Sequence, residues 1–263
     1  MRAAACFTRV SHNAPTMSLW REVVVFVAAL TAGAMNSIAG AGTLISFPTL
    51  LWIGRDPIVA NATNTVALWP ASVAGMMAFR RELARSKRWL LMLVIPSFAG
   101  GATGAVLLIH TSSQTFALVV PYLILGATIL LAAQEVITRK MRVVAITEGS
   151  HESATWRVGA FVFQFFVGIY GGYFGAGMGI LMLAALGLIG LTDMHQMNGL
   201  KNLLALVVNG IAALYFIASG KIVWVDVALM AVASSSADTS APAWRGASAS
   251  DSYAPSSSSS AWS

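Results

Sequence analysis

Four asparagines sit in otherwise apolar surroundings: Asn61 and Asn64 in "ANATNTVALWPAS", and Asn198 and Asn202 in "MNGLKNLLALVV". A side-chain amide offers two N–H donors without carrying charge, which suits reversible capture of an oxyanion, and Thr63 and Thr65 add hydroxyls nearby. The same amides serve equally well as helix caps or as bonds between membrane helices. Lys201 stands among them, and at the centre of a bilayer a lysine costs about 2.5–3.5 kcal/mol on insertion scales. It either snorkels to the interface or faces a cavity, where it would be the counter-charge for an anion. His195 and Asp193 lie together in "LTDMHQM", and histidine titrates in the range a proton-coupled carrier needs, with a surface loop as the plainer reading. His110 in "IHTSS" reads as interfacial, and Arg55 and Asp56 read as a solvated pair in a turn.

Two glycine clusters accompany these residues. Gly40-Ala41-Gly42 opens the apolar segment from Leu44 to Ile53, and Gly175-Ala176-Gly177 opens its near echo "GAGMGILMLAALGLIG". A segment of about ten residues covers only about 15 Å, half of a hydrocarbon core roughly 30 Å thick. Each is therefore expected to be a half-helix or re-entrant piece. A helix that starts inside the membrane presents unpaired N–H groups and the positive end of its dipole, both of which attract anions. Such interrupted backbone survives at membrane depth only against protein or a watery cavity. Close helix packing is the alternative use of the glycines.

The elements that must position these residues are membrane helices. Hydrophobic residues make up 57% of the chain and charged ones 10%, and the mean hydropathy is +0.74, which excludes a soluble globule. The apolar runs are long rather than alternating, so an outer-membrane barrel is excluded too. No HExxH, no GxSxG and no paired carboxylates occur, so an enzyme has no nucleophile and base to use. Cys6 is the sole cysteine, which rules out an intramolecular disulfide or a cysteine cluster for metal. No cofactor or metal is required.

The pattern predicts spans over about 19–38, 58–79, 89–109, 115–133, 156–173 and 196–218, with Gly100, Gly101 and Gly104 as close-packing positions. The order long span, glycine cluster, short segment and Asn-bearing helix occurs twice. Gly33 and Gly168, Gly40 and Gly175, and Gly42 and Gly177 are each 135 apart; Asn64 and Asn202, and Leu68 and Leu206, are 138 apart. Paired glycine-interrupted short segments in two halves point to the midplane site of a secondary transporter.

Nine of the sixteen Lys and Arg residues fall in two loops: Arg80, Arg81, Arg85, Lys87 and Arg88, then Arg139, Lys140, Arg142 and Arg157. The positive-inside rule puts both loops on the cytoplasmic face and explains the net charge of +6 without a nucleic-acid partner. The loop after the third helix is "RRELARSKR" in the first half and "SGK" in the second, which favours inverted repeats. The domains expected are an N-terminal leader (1–18), a first transmembrane repeat (19–138), a basic cytoplasmic loop (139–154), a second, incomplete repeat (155–233) and a Ser/Ala-rich disordered tail (234–263). Met17 is an alternative start. In the last thirty residues twenty are Ser or Ala, and a reading-frame shift near Ala233 would account for that abrupt change.

The stretches "NSIAGAGTLISFPTLL", "ANATNTVALWPAS" and "YGGYFGAGMGILMLAALG" resemble the TauE/SafE family of sulfite and organosulfonate exporters, over about residues 18–230. The resemblance implies an all-α polytopic fold of two repeats and a proton-coupled carrier of small sulfur- or carbon-containing anions in the inner membrane. Its glycine turns fall on Gly40, Ala41, Gly42 and on Gly175, Ala176, Gly177. The proline falls on Pro48, and the helix openings on Asn61, Thr63, Asn64, Thr65 and on Asn198, Lys201, Asn202. Ala41 and Ala176 stand where the family commonly has a third glycine, and Leu183 stands in place of the second-half proline. The expected partners are a small anion and membrane lipid, with a homo-oligomer left open. An anion channel or a non-transporting structural subunit are the alternatives.

Overall fold

The structure, a computed structural model, describes residues 19–39, 41–78, 87–147, 154–188, 191 and 193–236. Among these the chain is all helical: α1 (Leu19–Ala39), α2 (Thr43–Trp52), α3 (Pro57–Ala78), α4 (Lys87–His110), α5 (Ser113–Thr147), α6 (Ala154–Tyr173), α7 (Met178–Leu188), α8 (Met194–Ser219) and α9 (Trp224–Ser236). Four of them, α1, α4, α5 and α8, are long and apolar enough to cross a membrane. The two short helices α2 and α7 fall where the glycine clusters predict them.

Side-chain bonds show which helix ends share a side. Ser113 Oγ donates to Asp56 Oδ1 at 3.0 Å, so α5 starts beside α3. Lys221 Nζ donates to the Ile109 carbonyl at 3.4 Å, so α8 ends beside the end of α4. Val223 N–H donates to Thr63 Oγ1 at 3.1 Å, which brings the start of α9 to the same side. Trp20 and Trp52 meet edge to face at 5.6 Å, so α1 starts where α2 ends. It follows that α3 and α8 run antiparallel, and Trp69 Nε1 on α3 donates to the Leu206 carbonyl of α8 at 3.3 Å where they cross.

Two apolar cores form. One gathers Phe47 and Leu50 of α2 with Ala60 and Val66 of α3, Phe116 and Val120 of α5, Phe216 of α8 and Met230 of α9. The other gathers Leu93 of α4, Val167 of α6, Met182 and Leu186 of α7, and Leu200 and Leu204 of α8. Each core contains one half-helix. Lipid supplies no hydrophobic drive between helices, so close approach of small residues must hold them. At Gly100 and Gly104 of α4 an added Cβ would strike the carbonyls of Phe165 and Ile169 on α6, and at Gly172 it would strike that of Gly101. On the other side of the molecule, Gly33 of α1 lies against the backbone of Ser234 on α9, where a Cβ would come within 2.6 Å of the carbonyl oxygen.

Two sequence expectations are corrected. Helix α5 continues to Thr147, well into the stretch 139–154 read as a loop: a helix satisfies its own backbone bonds and can run out of the membrane unbroken, and "VITRKMRVV" contains nothing that stops one. Arg55 and Asp56 are not a solvated pair. Asp56 Oδ1 accepts the N–H of Ile58 at 3.0 Å and so caps α3, while Arg55 binds Asp226 across the molecule. The leader 1–18, most of the proposed tail, 237–263, and residues 79–86, which carry Arg80, Arg81 and Arg85, lie outside the described residues.

Candidate functional site

The two glycine turns share a sequence but solve different steric problems. Gly175 and Gly177 adopt φ +80° and +72°, the left-handed region that only glycine enters at no cost. Gly42 has φ −57°, ordinary for any residue, but a Cβ there would run into the Ala32 carbonyl of α1. The first turn needs glycine so that α1 and α2 can close on each other, and the second so that the chain can reverse from α6 into α7.

Between the two cores lies a cavity walled by the starts of both half-helices. Thr43, the first residue of α2, and Met178 and Gly179, which open α7, line it together with Asn36, Thr65 and Ser72 and with Lys201, Asn202 and Asn209 of α8. Its volume is about 40 Å³, on the scale where one water needs roughly 10–15 Å³, so it holds a few waters or one small oxyanion. Lys201 is only 2% exposed, which favours the inward reading of this residue over snorkelling. Lys201 lines the cavity together with Asn202 and Asn209, and the first residues of α2 and α7 border it. All of these features carry positive potential or N–H donors.

Of the candidate residues, Gly175, Lys201 and Asn202 line the cavity, and Thr65 lines it as well. Gly40 lies outside the described residues. Ala41, Gly42, Asn61, Thr63, Asn64, Ala176, Gly177 and Asn198 do not line it. Most of these hold the frame instead. Asn64 brackets α2 to α3: its Oδ1 accepts from Ser46 Oγ at 2.5 Å and its Nδ2 donates to Thr43 Oγ1 at 3.3 Å. Asn61 Nδ2 donates to the Tyr173 carbonyl at the end of α6 at 3.0 Å. Thr63 serves α9, the Ala41 carbonyl receives the Leu44 N–H, and the Ala176 carbonyl is taken by the Tyr170 hydroxyl at 2.5 Å. Asp193 caps α8, with its carbonyl accepting the Met197 N–H at 2.9 Å. The side chain of His195 lies outside what the structure describes.

Sequence reasoning missed Asn36, Thr43, Ser72 and Asn209. A signal existed: Thr65, Leu68 and Ser72, like Lys201, Ala205 and Asn209, recur at three or four residues, one face of a helix. Weighting polar residues on that face, rather than those nearest the glycine turns, would have found them.

A helical bundle in which four of the described helices are long and apolar enough to cross a membrane defines a multi-pass membrane protein. The Sulfite exporter TauE/SafE family matches residues 25–237, and the chain belongs to it. The chain is 28% identical over 168 residues to a "Probable membrane transporter protein" of Haemophilus influenzae, covering 64% of this chain and 63% of that one. It is 27% identical over 213 residues to "Probable membrane transporter protein YfcA" of Escherichia coli K12, covering 80% and 75%. A "Probable membrane transporter protein ORF9" of a Sinorhizobium species is 27% identical over 159 residues, covering 59% and 56%. No solved structure matches the chain. The family and the helices together place the protein in the inner membrane as a multi-pass transporter.

Proposed function

We propose that the chain is an alternating-access carrier of small oxyanions, sulfite and small organosulfonates among them, driven by the proton gradient. The observation that carries this reading is the cavity itself: the starts of α2 and α7 and the residues Lys201, Asn202 and Asn209 line one space of about 40 Å³. An anion held there exchanges its hydration shell for fixed donors and a helix-dipole field. The antiparallel course of α3 and α8, whose Asn64 and Asn202 correspond in the repeat, supports an inverted relation between the halves. Rocking one repeat against the other around a fixed site would expose it first to one face and then to the other.

The test is efflux of radiolabelled sulfite from cells expressing the chain, beside Lys201→Met. A hydrogen bond to a charged group contributes about 1.5–3 kcal/mol, so the variant is expected to lose efflux by tenfold or more, roughly, at equal membrane abundance. Saturation and counterflow are expected of a carrier. Current without counterflow would make the protein a channel, and full activity of Lys201→Met would remove the cavity from the mechanism.

A further inference from the structure

Arg55 lies in the turn between α2 and α3, and Asp226 lies on the first turn of α9, 171 residues later in the chain. The guanidinium grips the carboxylate with two bonds, Nε to Oδ2 at 2.8 Å and Nη2 to Oδ1 at 3.1 Å. Asp226 is 1% exposed and the Arg55 side chain 18%, so the pair sits just beneath the surface. The positive-inside rule assigns this side, where α3, α5 and α9 start and α4 and α8 end, to the face away from the basic loops.

The way from the cavity to that face is filled. Phe174 is part of the cavity wall; it stacks edge to face on Phe47 at 5.3 Å, and Phe47 on Phe116, near the start of α5, at 6.3 Å. Tyr173 closes on Phe116 at 5.5 Å. Beyond this aromatic plug, the Arg55–Asp226 pair ties the first half of the chain to the second.

From this arrangement we propose that the Arg55–Asp226 pair is the latch that keeps the cavity shut on the face away from the basic loops. The proposal rests on the carrier reading above, since a latch has meaning only if the cavity opens to both faces. A half-helix of ten residues connects the two sites: Thr43 at the start of α2 faces the cavity, and Arg55 follows its end about 15 Å away. An occupant that draws the start of α2 inward therefore moves the latch at the other end. The pair adds little to overall stability against an apolar replacement. Its consequence is for the balance between states, because a contact made in only one conformation biases the equilibrium by its full differential strength.

The test reads side-specific accessibility and needs no substrate. In a Cys6→Ser background, Ser72→Cys places a thiol in the cavity wall, and a membrane-impermeant maleimide is offered to right-side-out and inside-out vesicles. With the pair intact, labelling is expected only from the side of the basic loops. With Asp226→Asn or Arg55→Gln, labelling from the opposite side is expected to rise about tenfold. Exchanging the two charges, Arg55→Asp with Asp226→Arg, is expected to restore one-sided labelling. Should the single variants fail to accumulate, Arg55→Lys, which keeps the charge and gives up one of the two bonds, is read in their place and is expected to raise that labelling severalfold. The latch is overturned if the variants reach the membrane and label no faster from that side, or if the intact chain labels from both sides. A chain that shows the shift but moves no sulfite keeps the latch and loses the substrate.

Discussion

Single residues divide into those that touch the cavity and those that hold its walls, and the division predicts opposite phenotypes. Asn64 satisfies two hydroxyls between α2 and α3. Asn64→Ala is expected to lower stability in detergent by about 0.6–1.7 kcal/mol, the range of bonds between membrane helices, with the apparent sulfite affinity little changed. Asn202→Ala should do the reverse, weakening affinity at nearly unchanged stability, so thermal unfolding and efflux kinetics measured on both variants separate the roles. Gly177 offers a third case. Its surroundings leave ordinary contact distance, about 3.6 Å, to Ala127, but its φ of +72° is left-handed. Gly177→Ala is expected to cost about 1–2 kcal/mol through the backbone alone. Gly126→Ala, with nothing within 4 Å of the added carbon, should leave the unfolding temperature where it is.

At the scale of elements, the contact between α4 and α6 is made by glycines. Gly100 and Gly104 admit the carbonyls of Phe165 and Ile169, and Gly172 admits that of Gly101. Packing in lipid depends on such close approach rather than on burial from water. Gly104→Leu is expected to separate the two helices, since overpacking a fitted interface costs about 1–3 kcal/mol or more. Loss of the monodisperse peak in size-exclusion chromatography, with Gly159→Leu as the tolerated control, would display it. The helices α1 and α9 meet in the corresponding way at Gly33 and Ser234. Ser234 is also 137 residues after Ser97, close to the spacing that relates the halves, and Ser97 touches Gly168 as Ser234 touches Gly33. The first helix of each half thus leans on the fourth helix of the other.

For the whole molecule, this exchange of first helices joins the halves, and α4, α8 and Tyr170 contribute to both apolar cores. The antiparallel order predicts the sidedness of every loop. Cysteines placed at Ser86 and Ser150 are expected to react with an impermeant maleimide only from the cytoplasmic side, and one at Lys221 only from the other. Reaction of all three from one side would contradict the helix order described above.

Much of this was legible in the chain by itself. Apolar run lengths gave the helices, because the thickness of the bilayer fixes how many residues a span must have. The two GAG clusters marked where the short helices begin, because the same order of glycine cluster and short apolar segment occurs twice, although among the described residues of the clusters only Gly175 and Gly177 need the left-handed backbone. Membership of the TauE/SafE family was readable from the same stretches. The roles of the polar residues were not. Asn61, Asn64, Thr63 and Lys201 are similar in type and position, and only the packing of α2, α6 and α9 around them decided that the first three bind neighbouring helices while Lys201 turns inward. Arg55 looked solvated beside Asp56 because the nearest charge in sequence was its neighbour, whereas its partner, Asp226, comes from a helix 171 residues away. Local physics sets lengths and turns along the chain; which polar group meets which is settled by contacts between helices distant in sequence, and these exist only once the bundle is assembled.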